Sequence, residues 1–156
     1  YAKVEEKDTI VETIVTAGYE KTAHRAGTGY CYEERDGAFV TPGTINILVF
    51  TNKALTDSAM VKAIMTITEA KTAALQDWDA ESVKLYPFIN EDIPEALTKE
   101  RNSTATGTST DGVILTIDTN GDVLTDAGSF SLFGDTLAKA VYVGVQRALS
   151  NAIGAE

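Results

Sequence analysis

The chain reads as an α+β domain, a mixed β-sheet packed with helices, with α/β as the alternative. Three observations predict this class: a β-branched run at 9–16, a nearly continuous apolar run at 45–50, and helical spacing of apolar residues in two long segments. Strands and helices interleave along the chain. Thr119-Asn120-Gly121-Asp122 reads as a hairpin turn, however, and a hairpin needs an antiparallel pair, which favours α+β.

Taken in order, T-I-V-E-T-I-V-T at residues 9–16 is β-branched almost throughout and stops at Ala17-Gly18, a strand leaving into a glycine turn. Thr22 to Gly29 is a small-residue segment holding the single histidine, His24, and Tyr30 to Arg35 reads as a short, partly exposed strand. Pro42-Gly43 breaks the chain before I-N-I-L-V-F at 45–50, a pattern expected of a central strand buried on both faces. Thr56 is an N-cap and Asp57 a first-turn acid for a helix over about 57–77, with Met60, Ile64, Ile67, Ala74, Leu75 and Trp78 on its apolar side. Pro94 at a first helical position predicts a short helix inside the long connection that follows. Residues 113–118 form the next strand, and Val123-Leu124-Thr125 is expected to pair back on it across the turn. A last helix is predicted over about 135–149, with Leu137, Val141, Val145 and Ala148 on one face.

Composition narrows the function classes. With 156 residues and 44% hydrophobic content, the chain suits one domain with a real core. Formal net charge is −10, and no segment collects Lys and Arg into a patch able to neutralise phosphates, so no nucleic-acid partner is expected. No apolar run approaches the roughly 20 residues that span a bilayer, so no membrane insertion is expected. The single cysteine, Cys31, cannot close an intrachain disulfide, which points to a reducing, cytoplasmic home. With one histidine and one cysteine, neither metal nor cofactor is expected. The start at Tyr1 in place of methionine is expected of a trimmed product or a piece of a longer polypeptide.

Two polar sets stand out. Ser103 to Asp111 packs six hydroxyls and one carboxylate into nine residues immediately before a strand, which is either a plain Ser/Thr loop or a place to position a polar ligand. The second set, Thr68-Glu69-Ala70-Lys71, interrupts the long helix. On a wheel of about 100° per residue, Lys71 falls in the middle of the apolar side and Glu69 roughly opposite. Lys71 therefore either snorkels to the rim or is held for a carboxylate or an anionic ligand, whereas Glu69 is a solvated carboxylate unless another element covers it. Thr66, Thr68 and Thr72 are mildly unfavourable in a helix, so something beyond propensity selects them.

Of the remaining chemistry, Asn46 between Ile45 and Ile47 needs hydrogen-bond partners, a structural network first of all, and Thr44 lies beside it. His24 is either a general base or incidental. Cys31 lies among Tyr30, Tyr32, Glu33 and Glu34, surroundings that do not favour a thiolate nucleophile. Asp111 is the better catalytic candidate, placed to take a proton from water or from a loop hydroxyl.

Four segments, in order, resemble the adenosylcobinamide amidohydrolase family of corrinoid-salvage enzymes over about residues 10–150. They are Thr16-Ala17-Gly18 with Arg25-Ala26-Gly27; Gly43-Thr44-Ile45-Asn46-Ile47; Ala59-Met60 leading into Thr68 to Leu75; and Ala105 to Asp111. The resemblance implies one amidohydrolase-like domain over 1–156, without the family's N-terminal part. It implies hydrolysis of the amide between the corrin propionyl arm and aminopropanol, giving adenosylcobyric acid, with a corrinoid as substrate.

On that basis Asp111 is expected as acid/base, Thr106, Thr108 or Thr110 as nucleophile or oxyanion donor, and Glu69 and Lys71 as polarising partners. Thr44, Asn46, His24 and Gly107 are expected to contact substrate. The family's G-x-H-T-like segment reads Gly128-Ser129-Phe130-Ser131 here, with Phe130 at the histidine position. That departure supports the alternatives: a corrinoid-binding or sensing module without hydrolysis, or a structural domain of a longer protein, with self-association into a homo-oligomer. The enzyme reading requires the hydroxyl-rich loop and the middle of the long helix to converge around a shared concavity.

Overall fold

Alternation along the N-terminal 17 residues sets up the first pair of strands, in the computed structural model, which describes residues 1–18, 23–27, 44–78, 104–108 and 110–153. Strand β1 (Ala2–Glu6) and β2 (Thr9–Ala17) form an antiparallel hairpin in which Glu6 faces Thr9. The two-residue turn puts Lys7 at φ 55, a left-handed conformation that costs a non-glycine residue about 1 kcal/mol. The turn offers neither Asn-Gly nor Asp-Gly, and the outer side chains of β1 are charged, so this strand escaped the sequence reading. Ala2, Val11 and Val15 point inward to the core, and Lys3 and Ile14 point out.

Strand β4 (Ile45–Thr51) follows β3 (Ala23–His24) in the chain and pairs antiparallel with β2 and parallel with β7 (Gly112–Ile117), giving the sheet order β1-β2-β4-β7. The prediction of a central strand holds, and so does the mixed sheet. Burial on both faces does not. Ile45, Ile47 and Val49 are sealed in the core, whereas Phe50 is 38% exposed on the other face, because the helices cover only one side of the sheet.

Helix α1 (Asp57–Asp77) begins after the short β5 (Ala54–Leu55), with Thr56 Oγ1 accepting from the Ala59 N–H at 3.3 Å as the predicted N-cap. Its buried stripe is Ala59, Ala63, Thr66, Ile67, Ala70, Lys71, Ala74 and Leu75, so the predicted apolar side is rotated: Ile64 is exposed and Met60 half-buried. Small residues occupy the stripe because α1 packs against both the sheet and a second helix, and alanines allow close approach.

That second helix, α2 (Leu132–Ile153), is longer at both ends than predicted. Leu137, Val141, Val145 and Leu149 are fully buried, and Ala148 is only half-buried. It crosses β2 at close range: Thr13 Oγ1 donates to the Ala140 carbonyl at 3.0 Å, and a Cβ on Gly144 would lie 2.6 Å from that same Oγ1.

The predicted hairpin after β7 is corrected. Gly121 N–H closes a turn onto the Asp118 carbonyl at 3.0 Å, but β8 (Val123–Leu124) then runs parallel to β5 rather than back along β7. Gly121 is pressed on the Asn52 backbone, where a Cβ would collide with the carbonyl, so the turn is steered toward the β4–β5 corner. At this corner the buried Lys53 donates to Asp8 Oδ2 at 2.6 Å and Asp122 Oδ2 at 3.0 Å, tying three turns together. The expected strand at 30–35 and the short helix after Pro94 lie outside the described residues.

Candidate functional site

At the opposite end of the sheet, β4 and β7 both begin, and Asp111 immediately precedes β7. The loop before it carries β6 (Gly107–Thr108), which pairs antiparallel with β3 so that Ala23 faces Thr108 and His24 faces Gly107. The Thr106 N–H donates to the His24 carbonyl at 2.9 Å, and Thr106 Oγ1 accepts from the Ala26 N–H at 2.9 Å. Thr44 Oγ1 donates to the Thr110 carbonyl at 2.6 Å. The hydroxyl-rich loop is therefore pinned on three sides.

The middle of α1 meets this loop. Lys71 Nζ donates to Asp111 Oδ2, with the two side chains 11% and 16% exposed. Asp111 Oδ1 accepts from Thr108 Oγ1 at 2.5 Å, from the Thr108 N–H at 3.1 Å and from the Ile45 N–H at 3.3 Å. A nearly buried ion pair survives only when its remaining hydrogen-bonding capacity is met, and three extra donors do that here. Of the two readings left open for Lys71, a carboxylate partner is the one realised.

Gly107 forms the floor under the pair. A Cβ at that position would stand 2.5 Å from Asp111 Oδ2 and 2.8 Å from Lys71 Nζ, so only glycine lets cation and carboxylate meet against the backbone. At the next residue of α1, Thr72 Oγ1 donates to the Thr106 carbonyl at 3.3 Å. Thr66 donates to the Ala127 carbonyl at 2.7 Å, and Thr68 only bonds back to Ile64 at 2.9 Å. Two of the three unfavourable helix threonines thus hold loops in place.

Not every predicted residue joins the cluster. Glu69 is exposed, two positions and about 200° from Lys71, so it cannot polarise anything held there. Asn46 lies on the sheet face away from the helices; its Nδ2 donates to Thr16 Oγ1 at 3.4 Å and its Oδ1 rests against Gly112, where a Cβ would lie 2.8 Å away. Thr110 is exposed and His24 half-buried beside Gly107. Phe130 is wholly exposed.

Comparison with known proteins places the chain in a family. A family model described as Adenosylcobinamide amidohydrolase matches residues 1–86 and 90–156. The chain belongs to the adenosylcobinamide amidohydrolase family. An uncharacterized protein of Methanocaldococcus jannaschii is 34% identical over 160 residues, covering 95% of this chain and 56% of that protein. An adenosylcobinamide amidohydrolase of Methanosarcina mazei is 32% identical over 133 residues, covering 80% of this chain and 53% of its own length. The chain thus spans about half the length of the curated relatives it matches. No solved structure matches it.

The four segments that carried the resemblance to the amidohydrolase family meet at one end of the fold, the third through its Thr68 to Leu75 part alone. Gly18, closing the first, donates its N–H to the Thr44 carbonyl of the second at 2.9 Å; Ala26 reaches the fourth through Thr106; Lys71 of the third reaches Asp111 of the fourth. What residue types could not reveal were the backbone donors, Ile45 N–H and Thr108 N–H, that complete the Asp111 shell. Thr72 had a signal, its low helix propensity, but not a destination.

Among the described residues, no helix is long and apolar enough to cross a membrane.

Proposed function

We propose that this chain carries the hydrolytic centre for the amide that joins the corrin propionyl arm to aminopropanol in adenosylcobinamide, giving adenosylcobyric acid, in the cytoplasm and without a further cofactor. The observation that carries the reading is the contact between Lys71 and Asp111, which joins two family segments around a third residue, Thr108. Amide hydrolysis needs a group to take a proton from the attacking oxygen and a group to protonate the departing amine. Asp111 is positioned for the first exchange, and Lys71, at the other oxygen of the same carboxylate, places a cation where negative charge develops.

Glu69 has no part in this reading, because it faces away. Gly107 holds the floor of the cluster, and Thr44, Thr106 and Thr72 hold the loop rigid. The corrinoid enters as substrate.

The test is incubation with adenosylcobinamide and separation of the products. Release of aminopropanol with adenosylcobyric acid supports the reading, and an Asp111→Asn protein releasing it at the parent rate removes Asp111 from the chemistry. A second reading, a corrinoid-binding module without turnover, draws on Phe130 at the histidine position of the family pattern. A rise in melting temperature with adenosylcobinamide and no product favours that module.

A further inference from the structure

We propose that Thr108 is the nucleophile of this site and that hydrolysis passes through an ester between its Oγ1 and the acyl half of the substrate. The inference rests on the amide-hydrolysis reading above and goes beyond it in choosing between direct attack by water and a covalent route.

The choice follows from how the Asp111 carboxylate is occupied. An ionised carboxylate offers about four lone-pair sites. Four donors reach it: Lys71 Nζ on Oδ2 and, crowded on Oδ1, Thr108 Oγ1, Thr108 N–H and Ile45 N–H. A water molecule seeking Oδ1 as its base has to displace one of the three donors there. Three of the four donors, an ammonium and two backbone amides, cannot become attacking oxygens. The fourth, the Thr108 hydroxyl, is already 2.5 Å from Oδ1, a charge-assisted hydrogen bond that puts this hydroxyl in direct contact with the base.

The other two candidate threonines are placed differently. Thr106 Oγ1 is turned to the Ala26 amide, and Thr110 is exposed, with its carbonyl held by Thr44. Thr108 is additionally tethered to the same oxygen through its own N–H, which fixes its side chain relative to the base.

The steps balance as follows. Oγ1 forms a bond to the amide carbonyl carbon while its proton passes to Asp111 Oδ1. The tetrahedral intermediate collapses with cleavage of the C–N bond; the electron pair stays on nitrogen, which takes the proton from Asp111 and leaves as the amine. The hydroxyl that donated to Oδ1 is now an ester oxygen without a proton, so Oδ1 has lost one of its three donors. Water takes that place, gives one proton to Oδ1 and attacks the ester carbon. The C–Oγ1 bond breaks, Oγ1 recovers the proton, and the carboxylic acid is released. Acylation thus opens the place at Oδ1 that water then takes.

The test uses an activated ester, p-nitrophenyl acetate, so that it does not depend on the corrinoid. The parent protein is expected to give a burst of p-nitrophenol close to one equivalent, with a hydroxylamine-labile acetyl group that peptide mass spectrometry places on Thr108. Thr108→Ser keeps the burst, Thr108→Val loses it, and Asp111→Asn slows it by about 10²–10⁴-fold. Absence of a burst in the parent, an ester on another residue, or a parent-sized burst in Thr108→Val overturns the proposal. Thr108→Ser guards against a folding defect in the valine variant. Burst acetylation of Thr108 without aminopropanol release from adenosylcobinamide would sink the substrate assignment and leave the nucleophile standing. Aminopropanol release from a Thr108→Val protein would do the reverse.

Discussion

Lys71 and Asp111 stand 40 residues apart in the chain and meet as a nearly buried ion pair at the end of the sheet. The helix that carries Lys71 otherwise buries alanine, isoleucine, leucine and one threonine, so the lysine is retained there against its desolvation cost. Removing one partner leaves the other charged and underpaired. Lys71→Met and Asp111→Asn are each expected to lower stability by about 3 kcal/mol, and the double variant by less than the sum. Urea unfolding of the three proteins checks this, and strict additivity would show that the pair contributes no coupling.

Gly107 is expected to tolerate no side chain. In Gly107→Ala the new methyl meets Asp111 Oδ2 at 2.5 Å and Lys71 Nζ at 2.8 Å, so cation and carboxylate must separate or the β3–β6 pairing must shift. The expected result is a loss of about 1–3 kcal/mol by overpacking, with turnover of adenosylcobinamide reduced more strongly than stability explains. Comparing aminopropanol release with thermal unfolding of the same preparation separates the two effects.

These residues show where reading a sequence succeeds. The limits of α1, its Thr56 cap and the central position of β4 follow from local periodicity and local hydrogen bonding, which the chain displays openly. Lys71 stood out because a charge in an apolar stripe violates the pattern, and Asp111 because it ends a hydroxyl cluster; their meeting follows only from packing. The rotation of the α1 stripe was hidden because alanine is a weak hydrophobic signal, although it decides how closely helices approach. Strand β8 was misassigned because the local turn signal is genuine while its direction is set by contact of Gly121 with Asn52, which is not local. Glu69 shared a motif with Lys71 but not a face, and only the face matters.

At the other end of the sheet, Lys53 makes stability depend on pH. Its hydrogen bond holds the Asp8 carboxyl below the ordinary aspartate range, and the bonds to Asp8 and Asp122 hold the Lys53 ammonium above the ordinary lysine range. For Asp8, whose folded pKa is lowered, the contribution is present above the unfolded value and is lost as pH falls through the folded one. For Lys53, whose folded pKa is raised, the contribution is complete below the unfolded value and is lost as pH rises through the folded one. Between about pH 5 and pH 9 both are intact. Unfolding midpoints measured from about pH 7 down to pH 2 should therefore fall less in Asp8→Asn than in the parent, since that variant has already lost the acid-sensitive bond.

The contact between α2 and β2 gives a prediction on stability alone. A Cβ on Gly144 would lie 2.6 Å from Thr13 Oγ1 and 2.9 Å from Val15 Cγ2, in a place where Thr13 already spends its hydroxyl on the Ala140 carbonyl. Gly144→Ala improves helix propensity by about 1 kcal/mol but forces helix and strand apart, at a cost of about 1–3 kcal/mol. Net destabilisation is expected. Pairing it with Thr13→Ser, which removes a methyl and keeps the hydroxyl, should not rescue stability, because the clash is with Oγ1; Thr13→Ala should rescue part of it. Chemical unfolding of the set decides.

Phe130 bears on how this chain differs from the family pattern. Its ring is wholly exposed at the turn ahead of α2, where the Ser131 N–H and hydroxyl bond to the Gly128 carbonyl at 2.9 and 2.8 Å and hold the backbone without help from the ring. Phe130→Ala should therefore leave the unfolding free energy within about 0.5 kcal/mol of the parent, and Phe130→His should do the same. Because the ring reaches none of the four donors on Asp111, aminopropanol release is expected to be equal in the parent and in Phe130→Ala. A loss of turnover in that variant, at unchanged stability, would show that the aromatic ring takes part in holding the corrinoid, and a gain in Phe130→His would show that an imidazole there joins the proton transfers.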